Sequence, residues 1–379
     1  MFNKSWRRLR SDERGMSMVF VSIAFMSLFT ATTLAIDVGM FMTARAQAQN
    51  AADAGALAGA TALGFNSFTD RTATGPAVTG AVNTARANLV IGQQPSVLPG
   101  DVTFPVDPAT GQSNLVQVTV YRTTARGNPL STLIGWVFGV NTADVTATAT
   151  AGAVAANGEN CVLPFTVPDR WKESAGSWSP TSTFDPGDTY VPPTSKDPAP
   201  TGYTNADVGL QLVLKSSNGN NIAPSMYNAW DLPGSVGAND YSANIAACNP
   251  NIVKIGDWMS PENGNMVGPT KQGTDTLLMS DSGAQWDDGC KCVTKSAYSP
   301  KPSPRIRILP LYDPQVYAAG KQSGNANPQL QVVNYAGFFI EDVTGAGQVT
   351  GRLMSVSGQF VASGPISNDG MAKAIMFVK

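Results

Sequence analysis

Hydrophobic and polar positions are distributed very unevenly along this chain. From Met16 to Ile36 no charged residue occurs, a run long enough to cross a bilayer core of about 30 Å as a helix. Beyond it the apolar density falls, yet helical character persists: residues 37–63 are rich in Ala, with Gln and Arg, and contain no Pro. Ala has the best helix propensity, so span and Ala-rich stalk are expected to form one rod from Met16 to Leu63, about 70 Å long at 1.5 Å per residue. Along that rod Ala44, Ala48, Ala52, Ala56 and Ala60 recur every four residues, with Gly55 and Gly59 beside them. Small side chains let backbones approach closely, which makes Ala44, Ala48, Ala52, Gly55 and Gly59 candidate helix-contact positions. An equal expectation is that this face simply lies on the chain's own distal part. Arg45, Gln49 and Asp53 form a polar ridge at the same spacing.

After Gly75 and Pro76 a second Ala-rich stretch, Ala77 to Val90, has helical periodicity through Val78, Val82, Ala85 and Leu89. Leu115 to Tyr121 alternates as LVQVTVY, a strand pattern. LSTLIGWVFG after Asn128 and Pro129 reads as a short apolar helix, and Val140 to Val154 as a strand. Strand, helix, strand suggests a small α+β unit over residues 64–156, with a joint at Asn157, Gly158 and Glu159. Farther on, turn residues dominate. LQLVLK (Leu210–Lys215), RIRILPLY (Arg305–Tyr312), LQVVNYAGFFIEDV (Leu330–Val343) and QVTGRLMSVSG (Gln348–Gly358) are the clearest strands. No periodic helix competes with them, so residues 157–379 are expected to be mainly β. NGNMVGPTKQG, Asn263 to Gly273, reads as a loop.

Charge adds an orientation. Lys4, Arg7, Arg8, Arg10 and Arg14 precede the span, and a local excess of Lys and Arg stays cytoplasmic. Residues 1–15 are therefore expected inside and everything after Asp37 outside, which in a bacterium is the periplasm. A cleaved signal peptide shares the charged start, but its apolar core is usually only about 7 to 15 residues, so retention as a single-pass anchor is favoured. Net charge is −2 and the pI about 5.2, which leaves no basic footprint for nucleic acid.

Candidate chemistry changes this picture little. Histidine is absent, which removes the commonest general base and zinc ligand. No P-loop, H-E-x-x-H or Gly-x-Ser-x-Gly pattern occurs. Asp281, Asp287, Asp288 and Glu262 could gather around calcium, although loop carboxylates usually serve their own turns. Trp171, Trp178, Trp230, Trp258 and Trp286 could offer a stacking shelf for sugars, with core packing the stronger expectation. Four cysteines, Cys161, Cys248, Cys290 and Cys292, lie in the exported half, where an even count reads as disulfides. Cys290 and Cys292 are one residue apart and do not readily meet disulfide geometry. Each is therefore expected to pair with Cys161 or Cys248, in either of two connectivities. A thiolate zinc site would normally carry a second tight pair.

The N-terminal run ERGMSMVFVSIAFMSLFTATTLAIDVGMFMTARAQAQNAADAGALAGATAL resembles the start of TadG-like proteins of the Tad/Flp pilus system. The resemblance is carried by Arg-Gly before the span, Ala35 to Gly39 at its end, and Gln49-Asn50-Ala51-Ala52-Asp53-Ala54 followed by Gly-Ala-Leu-Ala-Gly. NPLSTLIGWVFGVNTADVTATATA is similar to the pattern that follows such anchors, so the likeness covers about residues 13–156. It implies a non-enzymatic, inner-membrane component or minor pilin-like subunit in assembly of adherence fibres, without cofactor or metal, meeting pilin-like or Tad assembly proteins through its N-terminal helix. Two family features are missing: Phe20 stands where prepilins carry glutamate after a cleavable glycine (Gly15 here), and Asp281-Ser282-Gly283-Ala284-Gln285 does not supply a von Willebrand A metal motif. The alternative is an envelope carbohydrate-binding protein or hydrolase on the same anchor. A carboxylate pair in a cleft beside an aromatic shelf would favour that alternative.

Overall fold

A computed structural model of the chain describes residues 14–108, 111–194, 200–217, 221–262, 264, 266–323, 328–361, 365 and 370–378; Lys4, Arg7, Arg8 and Arg10 lie outside them. The architecture is α+β. The expected rod is continuous: helix α1 runs Arg14–Phe65, 52 residues, or about 78 Å. Its first half is almost wholly exposed, and it is long and apolar enough to cross a membrane. Its second half packs on α2 (Pro76–Ala87) and on an antiparallel sheet built from β1 (Leu115–Arg122) and β2 (Val145–Ala155). Pro76 suits the first turn of α2, where its missing N–H would have no helical partner anyway.

The short apolar helix expected over LSTLIGWVFG does not form. Leu130–Ser131 pairs with Thr142–Ala143, and between them Gly135–Phe138 makes one 3₁₀ turn. Gly139 ends that turn at φ +79, a conformation that stops helix growth and favours glycine.

A seven-stranded sheet, closed on itself by one further strand pairing, forms the distal β-barrel. It uses β3 (Phe165–Pro168), β4 (Gln211–Ser216), β5 (Met226–Ala229), β6 (Ile306–Tyr312), β7 (Leu330–Val343) and β8 (Val349–Met354), with the two-residue strand Trp258–Met259 on the outer side of β7. Neighbours run β7-β6-β3-β5-β4-β8, and β8 pairs back onto β7. β4 alternates cleanly, burying Leu212 and Leu214. Phe165, Leu311, Phe338 and Val349 join them in one core.

Three helices interrupt the region expected to be purely β: α3 (Gly237–Ala246), α4 (Val267–Ser280) and α5 (Pro314–Gln322). Much of NGNMVGPTKQG is thus not loop but the first half of α4. Gly268, Pro269 and Gly273 hide the helix because they lower propensity. Gly273 is there for proximity: a Cβ would stand 2.5 Å from the Ser242 carbonyl on α3.

The chain then leaves the barrel and returns. β9 (Ala372–Phe377) pairs antiparallel with β2, from Lys373↔Ala155 to Phe377↔Ala151, and parallel with Val356–Ser357. The barrel is therefore an insertion between two neighbouring strands of the first sheet. The expected joint is a packed seam. Asn157 is fully buried, donates to the Val361 and Pro365 carbonyls and accepts from Val361 N–H. Glu159 accepts from Gln359 N–H at 2.9 Å, and a Cβ on Gly358 would stand 2.1 Å from its carboxylate.

Burial pushes the Glu159 carboxyl up from 4.5 to about 7, against the lowering effect of the Gln359 bond. The folded state thus holds this proton more tightly than the unfolded chain does. Its contribution to stability is full below pH 4.5 and is lost as pH rises through 7. Glu159→Gln keeps the accepting oxygen and is expected to flatten this slope, adding about 3 kcal/mol at pH 8. Melting temperatures of both proteins from pH 5 to 8 provide the check.

Candidate functional site

The helix-on-sheet unit beside the apolar span gathers the sequence features singled out above. Its α1 face carries the five small residues, and the structure brings all of them together, inward. Ala44, Ala48 and Ala52 have no exposed surface. A Cβ on Gly55 would meet Ala85 at 2.9 Å and Val118 at 3.3 Å; one on Gly59 would meet Val116 at 2.7 Å and Ala81 at 3.1 Å. The glycines are thus required by the approach of α2 and β1. This small-residue face is occupied by the chain's own fold, by α2 and β1, whereas the first half of α1 is exposed.

The polar ridge fixes the same packing. Gln49 donates to Asp53 at 2.8 Å and to the Thr148 carbonyl on β2 at 3.3 Å, while Gln47 accepts from Ile91 N–H at 2.7 Å. Position by position, α1 and β2 run in the same direction: Gln49 lies at Thr148 and Gly64 at Ala153. The β1–β2 connection is consequently at the end of the unit nearest the apolar span.

There Asp37, the first charge after the span, is held in a way the sequence did not indicate. Its carboxylate accepts from Leu133 N–H at 2.8 Å, from Ile134 N–H at 3.3 Å and from Gly135 N–H at 2.7 Å. Three converging amides form an anion-binding concavity, and Asp37 is buried. Gly135 is needed because a Cβ would stand 2.9 Å from the Val140 carbonyl. The signal available in sequence was the isolated Asp inside Ala35–Gly39; its partner, a loop far along the chain, had none.

The cysteines correct the expected connectivity. Cys161 joins Cys248, with Cα atoms 4.4 Å apart, and Cys290 joins Cys292, with Cα atoms 5.2 Å apart. The tight pair closes because Lys291 between them takes a left-handed conformation, φ +51, folding the chain back on itself. Cys161 reaches Cys248 because its N–H bonds the Asn249 carbonyl at 2.9 Å beside the pairing of Gly158–Glu159 with Val253–Lys254.

The acidic residues do not gather. Asp281 accepts from Ser296 and Ala297, Asp287 caps Gly289 and Cys290, and Asp288 pairs with Arg352. Among the described residues no three His, Cys, Asp or Glu side chains converge as a metal site. The tryptophans also part company. Trp171 and Trp230 are core residues, Trp286 stacks on Phe339, and Trp258 is exposed. Trp171 and Trp178 share a cleft of about 420 Å³ with Arg170, Lys172 and Glu173. Glu173 is the sole carboxylate among the described residues lining it, and among these it has no second acid beside it of the kind a glycosidase pairs. Asp169 behind it is fully buried and accepts from Tyr203 N–H, Arg170 N–H, Tyr190 and Asn334. Burial raises its carboxyl to about 6 in spite of those bonds. It braces four chain segments from within the core.

Residues 15–62 match the family described as "Putative Flp pilus-assembly TadE/G-like". No curated protein and no solved structure matches the chain.

Proposed function

From the TadE/G-like character of residues 15–62, we propose that this protein is a membrane-anchored structural component, or minor pilin-like subunit, of a Tad/Flp pilus-assembly apparatus. The observation that carries the reading is the coincidence of that match with α1 itself: the matched helix projects an exposed apolar half and packs its other half into the core of the helix-on-sheet unit. In this reading the apolar half spans the inner membrane and meets the helices of pilin-like or assembly partners. The head and barrel stand in the periplasm, and the fibres serve surface adherence. The role is mechanical rather than catalytic: α1 sets position, the small-residue packing transmits it to the sheet, and the barrel presents a contact surface.

Deleting the gene in its host and counting surface fibres by electron microscopy tests this. Loss of Tad/Flp-type pili, restored by the full chain, is the expected outcome. Unchanged fibre number and form would remove the assembly role.

A further inference from the structure

The β1–β2 connection carries a feature the assembly reading does not use. From Leu130 to Ala143 no residue is charged, and its tip turns apolar side chains outward. Leu133, Trp136, Val137, Phe138 and Val140 are all at least half exposed, from 50% at Val137 to 63% at Trp136. Five neighbouring apolar residues presented together are not the scattered exposure of an ordinary soluble surface.

Its position is fixed at one level along α1. The Leu133, Ile134 and Gly135 amides hold Asp37, directly after the apolar span. Thr33, one helical turn earlier and inside the span, is buried although its neighbours are exposed. The loop therefore overlaps the last turn of the span instead of standing clear of it. Trp136 ties its indole N–H to the Leu133 carbonyl at 3.2 Å, so the ring is offered as an apolar surface with its donor already satisfied. Trp and Phe beside the end of a spanning helix suit the lipid–water interface, where aromatic rings concentrate. The Asp37 carboxylate at that depth is buried and accepts three amide hydrogen bonds rather than facing lipid.

We propose that residues 133–140 are a second membrane contact, seated in the lipid–water interface of the bilayer that α1 crosses. The inference rests on the membrane-anchored reading of α1. A single helix leaves a head free to tilt and rotate; a helix plus an adjacent apolar wedge gives two contacts and a defined orientation. The occupant is lipid, because the wedge continues the apolar exposed surface of α1, and Asp37, the charged residue between them, is buried under the loop.

All four native cysteines are disulfide-bonded, so an introduced thiol can be labelled selectively. The full chain, reconstituted in phosphatidylethanolamine/phosphatidylglycerol nanodiscs, would carry an environment-sensitive fluorophore at Val137→Cys, at Leu28→Cys in the span, or at exposed Met279→Cys on the barrel. Lipids bearing a nitroxide near the headgroup are expected to quench the first at least twofold and to leave the Met279 label unchanged. Lipids with the nitroxide deep in the acyl chain are expected to quench the Leu28 label. Quenching at Leu28 with a water-like, unquenched signal at Val137 would overturn the wedge while sparing the anchor. A blue-shifted but unquenched Val137 label would also overturn it, since a second protein copy would then cover the loop. Absence of quenching at Leu28 would remove the anchor reading itself. Matching melting curves of labelled and unlabelled chains would establish that each variant is folded.

Discussion

A chain lacking residues 370–378 is expected to lose the cooperative fold of its membrane-proximal unit. β9 supplies the neighbour of β2 over Ala151–Ala155, and its Ala372, Lys373 and Ala374 are buried, as is Met371 just before it. Lys373 lies 4.0 Å over the Phe68 ring, and the Gly64 backbone is pressed between Ala153 and Ile375. Removing the strand withdraws a set of ladder hydrogen bonds worth about 1 kcal/mol each and apolar burial worth about 1.5–3 kcal/mol for a large side chain. The sum is comparable with the total stability of about 5–15 kcal/mol that a domain possesses. It also bares the edge of β2, an open template for wrong pairing. Limited proteolysis should then cut between α1 and α2 and within β2, sites resistant in the full chain. Equal resistance in both chains would show that β1, β2 and α1 suffice.

Breaking Cys161–Cys248 by a double serine substitution should lower stability by about 4 kcal/mol, because the bond closes a loop of 87 residues and long loops restrict the unfolded chain most. The same change at Cys290 and Cys292, two residues apart, should cost about 1.5 kcal/mol or less by the same chain-entropy reasoning. Denaturant melts of the two double variants measure the ratio. Non-reducing peptide mass mapping checks the pairing directly: a peptide holding both Cys290 and Cys292 should appear lighter by two hydrogens, unlinked to any other.

What could be read in the sequence was whatever local chemistry decides. The uncharged run, the Pro-free Ala stalk and the alternation in Leu115–Tyr121 each encode their element within a few neighbours, so α1 and β1 were legible. The helical start of α4 was not, because Gly268, Pro269 and Gly273 answer to α3 rather than to propensity. The Cys290–Cys292 bond was hidden in the backbone of Lys291, whose left-handed turn no composition announces. The candidate site divided in the same way. The small-residue stripe stood out at once, but its occupant, α2 with β1, was a matter of tertiary approach. Asp37 was visible as a charge at the end of a span, whereas the three amides that receive it come from a loop with no matching signal.

The return of β9 to β2 also sets an order on biogenesis. Residues 160–357 contain every strand of the barrel and can close it as soon as they have been synthesised. The sheet resting on α1 waits, since β9 follows every residue it joins and pairs Lys373 with Ala155 across the whole intervening barrel. Such distant pairing forms late. Until then the sheet on α1 keeps one raw β edge, so a chain stalled or clipped before Ala372 is distinguishable, by that edge alone, from the whole one.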